Sequence, residues 1–265
     1  MSGPSDRFGS ALDRARGFVV LSREPVSVAF LAALAGDPGD LVAKAERCAE
    51  PTGALGSLLP SAPEGPGVAS TVDALGALFA AGIRDGRLVE CAAGFLQSAQ
   101  DDAGAWADPV IREPLAALAL SAHVCGVLGH SPFARQSTLD RGVEYLAGAW
   151  SVDRVQEGRL DIIAGYLHAL SVCPSDLADE ALQWCGRELE RGWRMGRFAP
   201  PAVARVFVLC DAMALPAAKV SASDVVEALL DSQEPEGGWE GGLRSTLDAA
   251  AALARDDSRR QSPAC

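Results

Sequence analysis

Four of the five tryptophans recur on a beat. Trp106, Trp150, Trp193 and Trp239 are separated by 44, 43 and 46 residues. A fixed period of this length means a chain built from one repeated supersecondary unit, each unable to bury its apolar face alone. Stepping back 44 residues from Trp106 lands on Ala62, in a Pro/Gly-rich stretch, and a further 44 on Phe18. Six steps of about 44 cover the 265 residues.

Each step holds two stretches with helical apolar spacing. The clearest is 87–99 (RLVECAAGFLQSA), then a polar glycine-containing turn, then 109–128 (PVIREPLAALALSAHVCGVL) with Pro109 near its start. The last unit repeats the plan as DVVEALLDSQ, EPEGGWEGG and LRSTLDAAAALA. The others pair 10–21 with 25–35, 40–49 with 68–82, 137–149 with 157–172, and 176–190 with 199–214. The second helix of a pair is apolar nearly all round, as in GRLDIIAGYLHAL, and such a helix is buried. The first carries one apolar stripe. Six buried helices inside six amphipathic ones satisfy both patterns, which predicts an all-α fold, an (α/α)6 toroid of six helix pairs, in one domain over 1–255. A straight solenoid is the competing arrangement, but it needs terminal caps and none is obvious. Residues 51–67 read as a long irregular loop, and 256–265 as a disordered tail.

Composition narrows the partners. The net charge of −12 repels phosphate backbones, so nucleic acid is not an expected partner. No run of eighteen apolar residues is present, so no membrane span is expected. The seven cysteines form no CxxC pair, and most read as small buried hydrophobes. With no signal-peptide core at the N-terminus, they favour a cytoplasmic location.

The turns carry a motif. FLQSAQDDAGAW, Phe95 to Trp106, and ALLDSQEPEGGW, Ala228 to Trp239, place Gln, Gly and Trp in the same register, and YLAGAW and ELERGW are degenerate copies. Physically, Gln100 or Gln233 can bond orphan amides at a helix end, Gly104 or Gly237 permits a tight turn, and the indole stacks over it. This resembles the repeat of squalene-hopene cyclases and protein prenyltransferase β subunits, over nearly the whole chain. The resemblance implies a toroid around an apolar cavity, and a cyclase of the isomerase or lyase kind serving natural product biosynthesis. The DxDD acid motif of class II cyclases is absent.

Candidate chemistry therefore lies at the starts of the inner helices. Registered on a shared Ala-Leu, Asp161 falls where the middle Asp of DxDD would sit. Between Leu160 and Ile162 it is expected to be desolvated, raising its pKa toward a useful acid; a plain helix-capping role is the other reading. His168, seven residues on, shares its face and is the second catalytic candidate. Asp73 and Asp248 occupy equivalent positions after Ser-Thr pairs, lining a cavity or acting as acids in a first turn. Arg112 and Glu113 are candidates for the cavity rim, and Tyr166 and Trp150 for offering π-faces to a carbocation. No metal or other cofactor is expected: His123, Cys125 and His130 lack zinc spacing, and Asp176, Asp179 and Glu180 read as acids at a helix start. Arg191, Arg194 and Arg197 read as a solvated basic turn, with receipt of a diphosphate the alternative.

The expected function is cyclisation of an isoprenoid or polyene in a single toroid, with or without acid catalysis. With only one toroid, the chain would use its own barrel mouth, form a homodimer, or work with another subunit. The alternative is a noncatalytic carrier of an apolar ligand, or a partner protein of the prenyltransferase β kind.

Overall fold

The computed structural model describes residues 4–60 and 65–261. It is all-helical, with thirteen α-helices and no strand among the described residues. Six helices alternate with six more buried ones. The outer set is α1 (Pro4–Leu21), α3 (Gly39–Arg47), α5 (Arg87–Ser98), α7 (Gln136–Gly148), α10 (Ala178–Arg194) and α12 (Ala222–Ser232). The inner set is α2 (Pro25–Leu34), α4 (Val68–Ala80), α6 (Pro114–His130), α9 (Leu160–Leu170), α11 (Pro200–Leu209) and α13 (Gly242–Gln261). A one-turn helix, α8 (Val152–Gln156), was not expected from the sequence.

The inner helices neighbour one another in succession. Contacts run from α4 to α6, α9, α11, α13 and on to α2, while α1 packs against both α12 and α13. The first and last units therefore meet, and this order of contacts fits the six-pair ring read from the sequence.

The turn motif explains how neighbouring units join. Gln100 donates to the Gly104 carbonyl within its own turn (3.1 Å) and to the Thr138 carbonyl of α7 (3.0 Å). Trp106 is buried, its indole N–H donating back to Leu96 of α5 and its backbone N–H to the Ser121 hydroxyl of α6 (3.0 Å). Gln233 repeats this, donating to Gly237 (2.9 Å) and to the Ala11 carbonyl of α1 (2.9 Å), while Trp239 donates to Leu229 and to the Thr246 hydroxyl. Each turn is thus hydrogen-bonded to its own two helices and to the next outer helix. In the last unit, that next helix is the first.

A further copy is written without glutamine or tryptophan. Ala49 and Leu55 bridge as Gln100 and Trp106 do, and the Leu55 N–H donates to the Thr71 hydroxyl (2.9 Å). Gly53 has φ +90° and abuts the Cys91 carbonyl of α5, as Gly104 (φ +87°) abuts Arg141 of α7 and Gly237 (φ +95°) abuts Arg14 of α1. Leu55, not Ala62, therefore holds the tryptophan place. By contrast, Trp150 follows directly on α7 and Trp193 lies inside α10, so the degenerate matches are not equivalent turns.

Several boundaries differ from expectation. The third inner helix begins at Pro114, not Pro109, because the Glu113 carboxylate caps the N–H groups of Leu115 and Ala116 and Pro114 fills the first helical position. Asp108 folds the preceding residues into a turn and also accepts from Ala69 of α4 (2.9 Å). The stretch from residue 256, expected to be disordered, continues α13 to Gln261. Asp256 is buried and paired with Arg260 (2.6 Å), whose guanidinium covers the Phe8 ring, and Arg259 pairs with Asp211 (3.0 Å). Residues 262–265, including Cys265, lie outside the described residues. No described helix is long and apolar enough to cross a membrane.

Gly237→Ala is expected to destabilise the fold by about 1–3 kcal/mol, since its φ disfavours a Cβ that would also overlap the Arg14 carbonyl. Gly94→Ala, on the open face of α5 with nothing near its Cβ, should stabilise by about 0.5–1 kcal/mol. Urea denaturation of both variants checks this; equal effects would contradict the role given to the turn.

Candidate functional site

The inner helices surround a cavity of about 300 Å³. Much of its wall is small or aliphatic: Ala77, Ala80, Ala119, Leu120, Val127 and Ala251. Small residues also let α6 and α9 approach closely. Gly165 of α9 rests on Ala119 and Ala122 of α6, and Gly126 of α6 leaves the space that the His168 ring fills.

One side of the cavity is ionic. Asp73 of α4, Arg205 of α11, and Arg244 and Asp248 of α13 form a connected network. Arg244 takes Asp73 with two nitrogens, Nη2 to Oδ1 (2.8 Å) and Nη1 to Oδ2 (3.2 Å), and reaches Asp248 through Nε (3.4 Å). Arg205 contributes one bond to Asp73 (3.3 Å). Asp73 and Asp248 stand in the second turns of their helices, not in first turns as capping acids. Burial pushes the Asp248 carboxyl above the ordinary carboxylate range, against the pull of Arg205 and Arg244.

Asp161 also lines the cavity, but the desolvation expected from Leu160 and Ile162 is not found. Its side chain is 42% exposed and is held by Arg159 (2.6 Å), which also pairs with Glu113 (2.8 Å). The flanking residues cannot shield it because consecutive side chains on a helix point about 100° apart. The buried acids of this cavity are Asp73 and Asp248, at 10% and 15% side-chain exposure.

His168 is buried at the cavity wall beside His123, with the two Nδ1 atoms 3.3 Å apart. Burial lowers both pKa values, that of His123 to about 4, so both rings are neutral at pH 7. A hydrogen bond across this contact requires that one ring carry its proton on Nδ1 and the other on Nε2. His130 stacks beside His168 (centroids 5.5 Å apart) and bonds the Leu209 carbonyl, so all three histidines of the chain are neighbours.

The remaining candidates lie elsewhere. Tyr166 and Trp150 do not line the cavity. Five residues past Asp161, Tyr166 faces the outer layer, where its hydroxyl donates to Leu146 (3.0 Å) and its ring packs edge-on against Trp150. Neither Glu113 nor Arg112 lines the cavity: both are exposed, and Glu113 caps α6 and pairs with Arg159. Arg191 and Arg194 pair with Glu188 and Glu190 along α10, and Arg197 lies over Phe198. Asp179 and Glu180 open α10. Cys125 turns away from His123 toward Gly142. Among the described residues, no group of three or more His, Cys, Asp and Glu side chains is placed to hold a metal ion.

Sequence reasoning missed Arg205 and Arg244, and weighed His123 only as a metal ligand. The signal was present: a lone arginine in the apolar run PAVARVFVLC, and an arginine four residues before Asp248. The sequence matches no known family model and no curated protein.

Two outcomes are expected in urea denaturation. Asp73→Asn, which leaves buried Arg244 short of its main partner, should cost about 3 kcal/mol, whereas Asp161→Asn, at a half-exposed pair, should cost less than about 1 kcal/mol. Stability should also fall with acidification. The unfolded imidazole of His123 protonates as pH drops through 6.5 and the folded one only near 4, so its contribution is full above 6.5 and lost on the way down. Its share is about 2 kcal/mol between pH 7.5 and 5. His168 adds a loss of the same sign, while deprotonation of Asp248 weakens the fold in the opposite direction as pH rises. Stability that stays flat from pH 7.5 to 5 would contradict a neutral, buried histidine pair.

Proposed function

We propose that the chain binds a short isoprenoid or polyene in the central cavity and cyclises it by acid catalysis. The observation that carries this reading is a desolvated carboxyl group, Asp248, on the ionic side of a hollow whose other walls are small and aliphatic. At about 300 Å³ the cavity lies at the small end of ligand pockets, which favours a monoterpenoid-sized chain over a triterpene. The turn motif, the closing contacts between first and last units, and the location of the cavity among the inner helices support kinship with the cyclase and prenyltransferase toroids.

In this reading the Asp248 carboxyl, when it holds a proton, gives it to one carbon of an alkene. The π electrons form the new C–H bond and leave a cation on the adjacent carbon. A second alkene attacks it, closing a ring, and the resulting cation loses a proton to neutral His123 or back to the Asp248 carboxylate. Substrate and product are then isomers. Folding the chain against Ala77, Ala119, Leu120 and Val127 holds the two alkenes together and lowers the entropic part of the barrier.

A noncatalytic carrier is the second reading. It is favoured by the internal pairing of Asp73, Arg244 and Asp248, which leaves Asp248 tied to a guanidinium. Incubation with linear ten- to fifteen-carbon polyenes, followed by gas chromatography and mass spectrometry, separates the two. Cyclic isomers should form, and Asp248→Asn should reduce their rate by at least about a hundredfold. Tight binding without product would support the carrier, and undiminished turnover by Asp248→Asn would remove Asp248 from the chemistry.

A further inference from the structure

We infer that the ligand of this cavity carries a carboxylate, received by Arg205. The inference rests on the reading that the cavity is a ligand site and goes beyond it by naming the head group.

Arg205 lies in α11 between buried Val203, Ala204, Val206 and Phe207, so its backbone is fixed while its guanidinium faces the cavity. Its partner is already engaged, because Arg244 occupies both oxygens of Asp73. Arg205 is left with one bond of 3.3 Å, although a guanidinium has five N–H donors. The two arginines differ accordingly: Arg244 is 16% exposed and used on three sides, whereas Arg205 is 40% exposed and largely unspent.

A pure hydrocarbon entering here would strip water from those donors and return nothing, which is costly. A carboxylate replaces the water with a planar pair of acceptors that matches the guanidinium edge. The charges around Arg205 permit this. Asp161 is matched by Arg159 on the rim. Asp73 is shared by two guanidinium groups and has both oxygens taken by Arg244, which leaves most of the Arg205 edge without a protein acceptor. A diphosphate is bulkier and brings more negative charge than the free edge of Arg205 can match, and three acids line the same cavity.

The test is calorimetric titration of the full chain with geranate, geraniol and geranyl diphosphate, which share one hydrocarbon tail. Geranate should bind at least about tenfold more tightly than geraniol to the unaltered protein, and more tightly than the diphosphate. In Arg205→Gln, whose fold is checked by its thermal transition, the preference for geranate over geraniol should shrink to about twofold or less while geraniol binding is kept. Equal affinities for geranate and geraniol, a preference for the diphosphate, or a geranate preference that persists without Arg205 would each overturn the inference. If Arg205→Gln does not fold, the comparison of the three ligands on the unaltered protein decides. Binding of none of them would remove the ligand-site reading as well. Turnover of an uncharged polyene with no preference for geranate would remove the head-group assignment alone.

Discussion

The turn within a helix pair, which also clasps the next outer helix, is the constraint on which the rest of this molecule depends. Within it, a glycine with positive φ brings the backbone against a carbonyl of the neighbouring outer helix, and a side chain or backbone amide reaches into the inner helix that follows. The turn therefore sets the spacing between units and not only the path within one. Where glutamine and tryptophan are both present, the indole N–H satisfies a carbonyl in the last turn of its own outer helix, and the glutamine amide reaches a carbonyl within the next outer helix. At Gly53 and Leu55, the same backbone geometry is held by the Thr71 and Ser70 hydroxyls and by apolar burial.

That difference explains how much was legible in the sequence. Helix pairing followed from apolar periodicity, and the full matches at Trp106 and Trp239 marked real turns. The regular tryptophan beat misled at Trp150 and Trp193, because a large aromatic residue packs equally well at a helix end or along a helix face. Leu55 was invisible because the turn depends there on backbone shape, which a period counted in side chains does not register; the extra chain between it and α4 also shifted the count. The charged end of α13 was read as disordered from its composition. Asp211 and Phe8, distant in sequence, supply the partners that order it.

The same contrast holds at the cavity. Aligning inner helices on a shared Ala-Leu brought Asp73, Asp161, His168 and Asp248 into consideration, and all four line the hollow. Alignment along the chain does not give depth. Asp161 and Asp248 differ in the company each keeps: Arg159 holds one at the rim, while α4, α11 and α13 enclose the other. Arg205 and Arg244 are significant only because three helices far apart in sequence bring them onto one carboxylate.

The clasp between Gln233 and the Ala11 carbonyl joins residues 222 positions apart. During synthesis the N-terminal helix must wait for almost the whole chain before it gains that neighbour, and the arginine and aspartate of α13 reach the hollow no sooner. Such late, long-range closure is slow and leaves apolar inner faces uncovered in the meantime. The ionic wall is therefore among the last parts of the structure to be installed.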